Sequence, residues 1–354
     1  VKAVTIESGR AIAYRLFDIA DEVDLTRIGA AASRLTIPRE RAQVIVRDAP
    51  VSIASGTARI RLGPTSVDAE TVARLWNYGS LSLQFHIPLK QGMRWDELIR
   101  LAKCAEDDND IDAVAAAKLK EIHAALLPAL IQPHAPAAFE DYIIYLLHAV
   151  DGASPAELPE RADIPALILG EPDINLAART RQTIAANTFA YSDADLAVID
   201  WNSALIYDPK GAAEVADVVE FALTHLMEFR YFDDLLDQRM ERLYEALELR
   251  RPRILRGFHR LSREANALFL EFREYVERVE NSVKFVGDPY LGTIFGAAVA
   301  RFDLRKWEES LERKLAALAR ISELLQGEVN VVRSHFLEIV IILLIVYEII
   351  AAVV

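Results

Sequence analysis

The sequence predicts an α+β protein in three parts. A ferredoxin-like α/β domain fills residues 1–209, a helical coiled-coil stalk fills 210–335, and one C-terminal transmembrane helix fills 336–354. Three observations predict this. Before Pro209, apolar residues alternate with period two in short runs, as in half-buried strands. After Pro209 they recur with 4-3 spacing over many turns, as in helices packed knobs into holes. The last nineteen residues, FLEIVIILLIVYEIIAAVV, are apolar around the whole helical circumference.

In the first part, Ala11–Ile19 alternates and reads as a strand, and Asp24 then caps a short helix to about Arg34. Gln43–Val46, Val51–Ala54 and Ala58–Leu62 read as further strands. Val72–Trp76 and Leu81–Ile87 form a hairpin around Asn77-Tyr78-Gly79-Ser80. Helices follow at about Arg94–Ala105 and Ile111–Leu127. A second unit starts with a strand at Phe139–Leu147 and continues with a helix near Ile174–Ala186. It closes with the hairpin Leu196–Asp200 and Ala204–Tyr207. Strand, helix and closing hairpin thus occur twice, which suggests a duplicated ferredoxin-like layout. Half of the 14 prolines fall within 128–172, so that stretch is expected to be a long exposed connection.

The second part carries three heptad runs. Val215, Val219, Ala222, Leu226, Phe229, Leu236, Met240, Leu243 and Leu247 form the first. Ala265, Phe269, Phe272, Val276, Val279, Val283 and Val286 form the second. The third runs from Leu304 through Trp307, Leu311, Leu315, Leu318, Ile321, Leu325, Val329 and Val332 into Phe336. Breaks at Arg251-Pro252 and Gly287-Asp288-Pro289 point to an antiparallel bundle within one chain.

With a rise of about 1.5 Å per residue, the tail covers roughly a bilayer's hydrocarbon core. Arg333 and His335 precede it and nothing basic follows, which places the body of the chain on the cytoplasmic side of an inner membrane as a single-pass, tail-anchored protein. Phe336, Glu338, Ile341, Leu344, Tyr347, Glu348 and Ile350 would be anchor residues. Glu348 facing lipid would cost on the order of 2–3 kcal/mol, and the competing reading of the tail is an oligomer core.

Composition narrows the function classes. The chain has 354 residues, room for two or three domains, and 52% hydrophobic with 26% charged residues, which excludes wholesale disorder. A net charge of −13 argues against general affinity for nucleic acid. Cys104 is the only cysteine, so no internal disulfide, cysteine zinc site or CxxC pair can form. The N-terminus lacks a signal-peptide run. Walker, HExxH, GxSxG and EF-hand patterns are missing, so no enzyme, cofactor or metal site is expected.

Weaker features remain. His86, His123, His134, His148, His225, His259 and His335 are scattered singly and read as structural or solvated rather than as ligands. The run Glu106-Asp107-Asp108-Asn109-Asp110 with Asp112 reads as a solvated turn capping the next helix. Asp233, Asp234 and Asp237 read as surface charge or register control, and Gly292 and Gly296 as close helix contact. Arg250, Arg251, Arg253, Arg256, Arg260 and Arg263 concentrate positive charge in one turn, which antiparallel packing would bring beside Arg333 as a candidate lipid or RNA contact.

The segment VENSVKFVGDPYLGTIFGAAVARFDLRKWEESLERKLAALARISELL followed by SHFLEIVIILLIVYEI resembles the C-terminal half of the required-for-meiotic-nuclear-division family. YRLFDIADEVDL, WNYGSLSLQFHI and DLAVIDWNSALI are similar to that family in order and spacing. The resemblance implies an α/β front, a helical back with a membrane segment, and homo-oligomers. Mitochondrial relatives support translation. It supplies no catalytic residues, and the alanine- and arginine-rich composition looks bacterial.

The expected function is a tail-anchored oligomeric membrane scaffold. Its partners would be membrane lipid, further copies of the chain and an unidentified cytoplasmic protein. Two alternatives stand beside it: a membrane-associated RNA- or ribosome-linked factor, and an enzyme whose site lies between the two α+β units.

Overall fold

The computed structural model describes residues 4–28, 33–34, 49–107, 110–136, 139–211, 213–248 and 288–353, and helical residues 267, 269–270, 272–274 and 276–277. They fall into two compact units, Val1–Tyr231 with Arg278–Arg305, and Phe232–Glu277 with Lys306–Val354.

The first unit is organised by β1 (Thr5–Asp18). Its length and its two apolar faces require a partner strand on each edge, because buried backbone amides and carbonyls must be bonded. On one edge lies β6 (Ser80–Pro88), paired antiparallel from Arg10↔Pro88 to Asp18↔Ser80. On the other lies β9 (Glu140–Asp151), paired antiparallel from Thr5↔Asp151 to Leu16↔Glu140. Beyond β6 come β5 (Thr65–Leu75), β4 (Val51–Leu62) and β3 (Ser33–Arg34). Beyond β9 come β12 (Ser203–Tyr207), β11 (Leu196–Ile199) and β10 (Thr188–Phe189). β12 runs parallel to β9, which makes the sheet mixed. The short β7 (Met93–Arg94) also pairs with β1, and β2 (Ala20–Val23) pairs with β8 (Leu130–Pro133) as a separate ribbon.

This corrects the expectation of a duplicated ferredoxin-like domain. The halves do not build two sheets, because β9 from the second half completes the free edge of β1 from the first. Local strand signals fix which residues are extended but not which edges meet. The two runs predicted at Val51–Ala54 and Ala58–Leu62 are one strand, with a register shift between Ala54 and Thr57 at Gly56, whose φ is 77°. Gln43–Val46 lies outside the described residues.

One face of the sheet is covered by α1 (Trp95–Asp107) and α2 (Asp110–Leu126). In α1, Trp95, Leu98, Ile99, Ala102 and Ala105 are buried, the spacing of a single helix face. The stretch 128–172 is not an exposed connection. It contains β9 as well as α3 (Leu158–Arg161) and α4 (Ile164–Ile168), and Leu158 and Leu167 are fully buried. Two of its seven prolines, Pro159 and Pro165, sit in the first turns of α3 and α4, where a missing amide costs nothing. A further helix, α5 (Ala178–Ala185), leads into β10.

The opposite face is covered by the first half of α6 (Glu214–Glu248). Phe221 of α6 meets Phe295 of α7 (Pro289–Arg301) with ring centroids 5.6 Å apart. Thus Val219, Ala222, Leu226 and Phe229, expected in a stalk, are core residues of the sheet unit. In the second unit Phe232 meets Phe272 edge-on at 5.3 Å, and Leu236 is buried. Lys314 of α8 (Leu304–Val353) bridges Asp233 and Asp237 at 2.7 and 2.6 Å, flanked by buried Leu311, Leu315 and Leu318.

The transmembrane expectation is also corrected. Among the described residues, no helix is long and apolar enough to cross a membrane. The tail is the last part of a 50-residue helix with a charged first half, and Glu338 and Glu348 interrupt its apolar run. The single-pass inner-membrane location and the anchor role of Phe336, Glu338, Ile341, Leu344, Tyr347, Glu348 and Ile350 therefore do not stand.

Candidate functional site

A cavity of about 450 Å³ opens in the first unit where β11 begins, β12 ends, and α6 and α7 start. Its volume lies within the usual range for small-molecule sites. Leu196, Ala197, Ile206 and Leu291 give it an apolar floor, while Asp195, Asp208, Lys210, Glu214 and Asp288 bring charge. Tyr191 and Tyr290 contribute rings with centroids 5.6 Å apart, tilted by 56°.

The local sequence explains most of these carboxylates. Asp195 accepts from the amides of Tyr191 and Ser192 and from Ser192 Oγ, each at 2.8 Å, and so closes its own turn. Asp208 accepts from the Lys210 amide at 2.8 Å in the turn after β12. Asp288 caps α7, accepting from the amides of Tyr290 and Leu291 at 2.7 and 3.3 Å, with Pro289 at the first helical position. Glu214 differs. It opens α6, is 7% exposed, and among the described residues has no hydrogen-bond or ion-pair partner.

A second polar assembly lies between α6 and the sheet. Asp217, Glu220, Thr224 and Glu228 are spaced by three and four residues, which aligns them on one stripe of α6. They meet the polar face of β6 and β5. Arg74 donates to Asp217 (2.8 Å) and to the fully buried Glu220, which also accepts from Gln84 (2.9 Å). Thr224 Oγ1 donates to the Phe221 carbonyl (2.7 Å), so the Tyr78 hydroxyl donates to Thr224 (2.7 Å). Ser80 donates to Glu228 at 2.6 Å. Burial pushes the Glu220 carboxyl up, while Arg74 pulls it back. These groups satisfy one another away from solvent and lock the register of α6 on the sheet.

Among the described residues, His225, His86 and His134 sit in packed surroundings. His225 sits among Phe221, Phe295 and Tyr78, where burial pushes its imidazole down to about 3. His86 meets Gln84 Oε1 at 3.0 Å, and burial pushes it down to about 4. His134 lies 3.3 Å from Asp18 and stacks on Tyr231 at 5.1 Å. Among the described residues no group of histidine, cysteine and carboxylate side chains could hold a metal ion.

Of the acidic run, Asp110 accepts from the Arg61 amide at 2.6 Å and Asp112 pairs with Arg15 at 2.6 Å, so both tie α2 to the sheet. Gly292 and Gly296 face open space rather than a close helix contact. Arg250, Arg251, Arg253, Arg256, Arg260 and Arg263 lie outside the described residues, and Arg333 lies along α8. Among the described residues, none of the expected site residues lines the cavity. Its walls come from segments 191–215 and 288–291, and the signals were local ones: an Asp-Pro helix cap and a glutamate opening a helix.

No curated protein and no solved structure matches this chain. A protein family does match, over residues 8–214, from within β1 through the first residue of α6, and so takes in most of the sheet and the greater part of the cavity wall. With more than half of its length matched, the chain belongs to the family described as Uncharacterized protein MJ0711, N-terminal domain.

Proposed function

We propose that the protein is a non-catalytic scaffold that assembles with further copies of itself through the end of α8. One observation carries this reading. From Leu337 to Ile350, ten large apolar side chains stand 46–62% exposed on a single chain. Ile341 through Val346 are six in succession, and at about 100° per residue they pass around the whole helix. A helix apolar on every side is one that other chains surround.

The magnitudes favour assembly. Full burial of one such side chain is worth about 1.5–3 kcal/mol, so covering the exposed half of ten yields on the order of 10 kcal/mol per chain. That is comparable with the roughly 4–15 kcal/mol lost in joining two bodies, and several helices around a common axis share the gain. The resemblance of the C-terminal segment to a family with homo-oligomeric relatives supports the same reading. The sheet unit, with its cavity, would then present one partner-binding site per copy.

The test is light scattering on the full chain and on a chain ending at His335. The full chain is expected to form a defined oligomer and the truncated chain a monomer. Equal masses for the two, or a full chain that floats with phosphatidylcholine vesicles as a monomer, would overturn the proposal.

A further inference from the structure

We infer that the cavity at the start of α6 and α7 binds an organic cation, an ammonium or guanidinium group on a short apolar stem. The central observation is Glu214. Its residue is more than nine-tenths buried, it lines the cavity, and among the described residues it has no partner. The carboxylate opens onto the cavity with no cation or donor of the described residues beside it, so a ligand's cation can take that place through a charge-assisted hydrogen bond.

The surrounding charge decides the sign of the ligand. Two helix N-termini reach the cavity, and each counts as roughly half a positive charge, which by itself would favour an anion. Lys210 at the exposed rim adds one more. Against these stand four carboxylates, Asp195, Asp208, Glu214 and Asp288, leaving a net of about two negative charges. Three of them are already bonded to turn or cap amides, which fixes them as a field rather than as direct ligands. Glu214 is left as the direct partner.

The shape agrees with the charge. Tyr191 and Tyr290 offer two tilted ring faces, a setting in which a delocalised cation gains cation–π attraction. The apolar floor of Leu196, Ala197 and Ile206 suits an alkyl stem. A free small amine and a basic side chain in an extended peptide share this chemistry.

Calorimetric titration of the full chain tests the inference, with agmatine, the peptide Gly-Gly-Arg-Gly-Gly, and inorganic phosphate as probes. Agmatine or the peptide is expected to saturate at one per chain, and the tighter of the two identifies a free amine or a partner's side chain as the source. Glu214→Gln should weaken binding at least tenfold. Lys210→Gln removes a repelling charge from the exposed rim and should tighten binding severalfold. Tyr191→Leu, at a position 76% exposed, should weaken it severalfold. The last two variants leave the core intact, so the test stands even if Glu214→Gln does not fold. Phosphate binding in preference to both cations, no saturable heat from either cation, or binding unchanged by Lys210→Gln and Tyr191→Leu would overturn the inference. Each of these readouts is independent of the oligomeric state.

Discussion

Replacing Arg74 with methionine tests the polar layer between α6 and the sheet. Arg74 is the cation that Asp217 and the fully buried Glu220 share, with Asp217 at 2.8 Å. Methionine keeps much of the volume and removes the charge. Glu220 would keep its bond from Gln84 but would be a buried carboxylate without a counter-charge. Removing one partner of such a pair costs roughly 3–5 kcal/mol. For a unit of this size that lowers the midpoint of thermal unfolding by about 6–20 °C.

The loss should depend on pH in a defined direction. The Glu220 carboxyl already stands above its ordinary range because of burial, and without Arg74 it rises further. The variant therefore recovers stability as the pH is lowered and Glu220 takes up a proton. Arg74→Met combined with Glu220→Gln should regain most of the loss at neutral pH, since the glutamine can still bond to Gln84 without a charge. Thermal and urea unfolding, followed by circular dichroism and the fluorescence of the buried Trp76, measure all three chains. A single-variant loss below about 1 kcal/mol would refute the reasoning, as would a double variant whose loss is the sum of the single ones.

Two further outcomes follow from the structure, beside the truncation after His335 and the cation titrations. Glu140 pairs with Arg230 at 2.6 Å, yet burial dominates and pushes its carboxyl up to about 7. The folded chain therefore holds a proton that the unfolded chain has released above about pH 4.5, so stability falls as pH rises from there to 7, by on the order of 3 kcal/mol. Glu140→Gln should flatten the urea midpoint over pH 5–8 by that amount relative to the parent, and parallel curves for the two chains would contradict the assignment. Gly79 holds φ at 100° in the turn before β6, and an added Cβ would lie inside the Ala20 carbonyl. Gly79→Ala should cost several kcal/mol and shift the unfolding midpoint far more than Gly92→Ala, whose Cβ would meet nothing. Equal effects of the two glycine changes would show that the turn is not held as described.

Much of the element order could be read from local pattern. The strand at Ala11–Ile19, the hairpin through Gly79, the helices near Arg94 and Ile111, and the closing hairpin at Trp201 all occur close to the positions predicted. Each rests on a periodicity or a turn residue acting over a few neighbours. The reading of single histidines as structural also holds for His225 and His86, which sit in packed surroundings. The candidate site was not legible, because its walls come from 191–215 and 288–291 and no local rule joins those segments.

What the sequence determined by itself is therefore the set of extended and helical segments, because backbone preference and apolar period act along the chain. What only the tertiary structure decided is which surfaces meet. The run SLSLQFHI alternates strictly and reads as a strand with one face in water. In the fold, Leu81, Leu83, Phe85 and Ile87 do face an apolar core, but Ser80, Ser82 and Gln84 are buried as well, under α6. The burial of Ser80 and Gln84 is stable because the polar stripe of Asp217, Glu220, Thr224 and Glu228 meets the polar face at bonding distance. Complementary polar partners more than 130 residues apart replace the water that a local pattern leads one to expect.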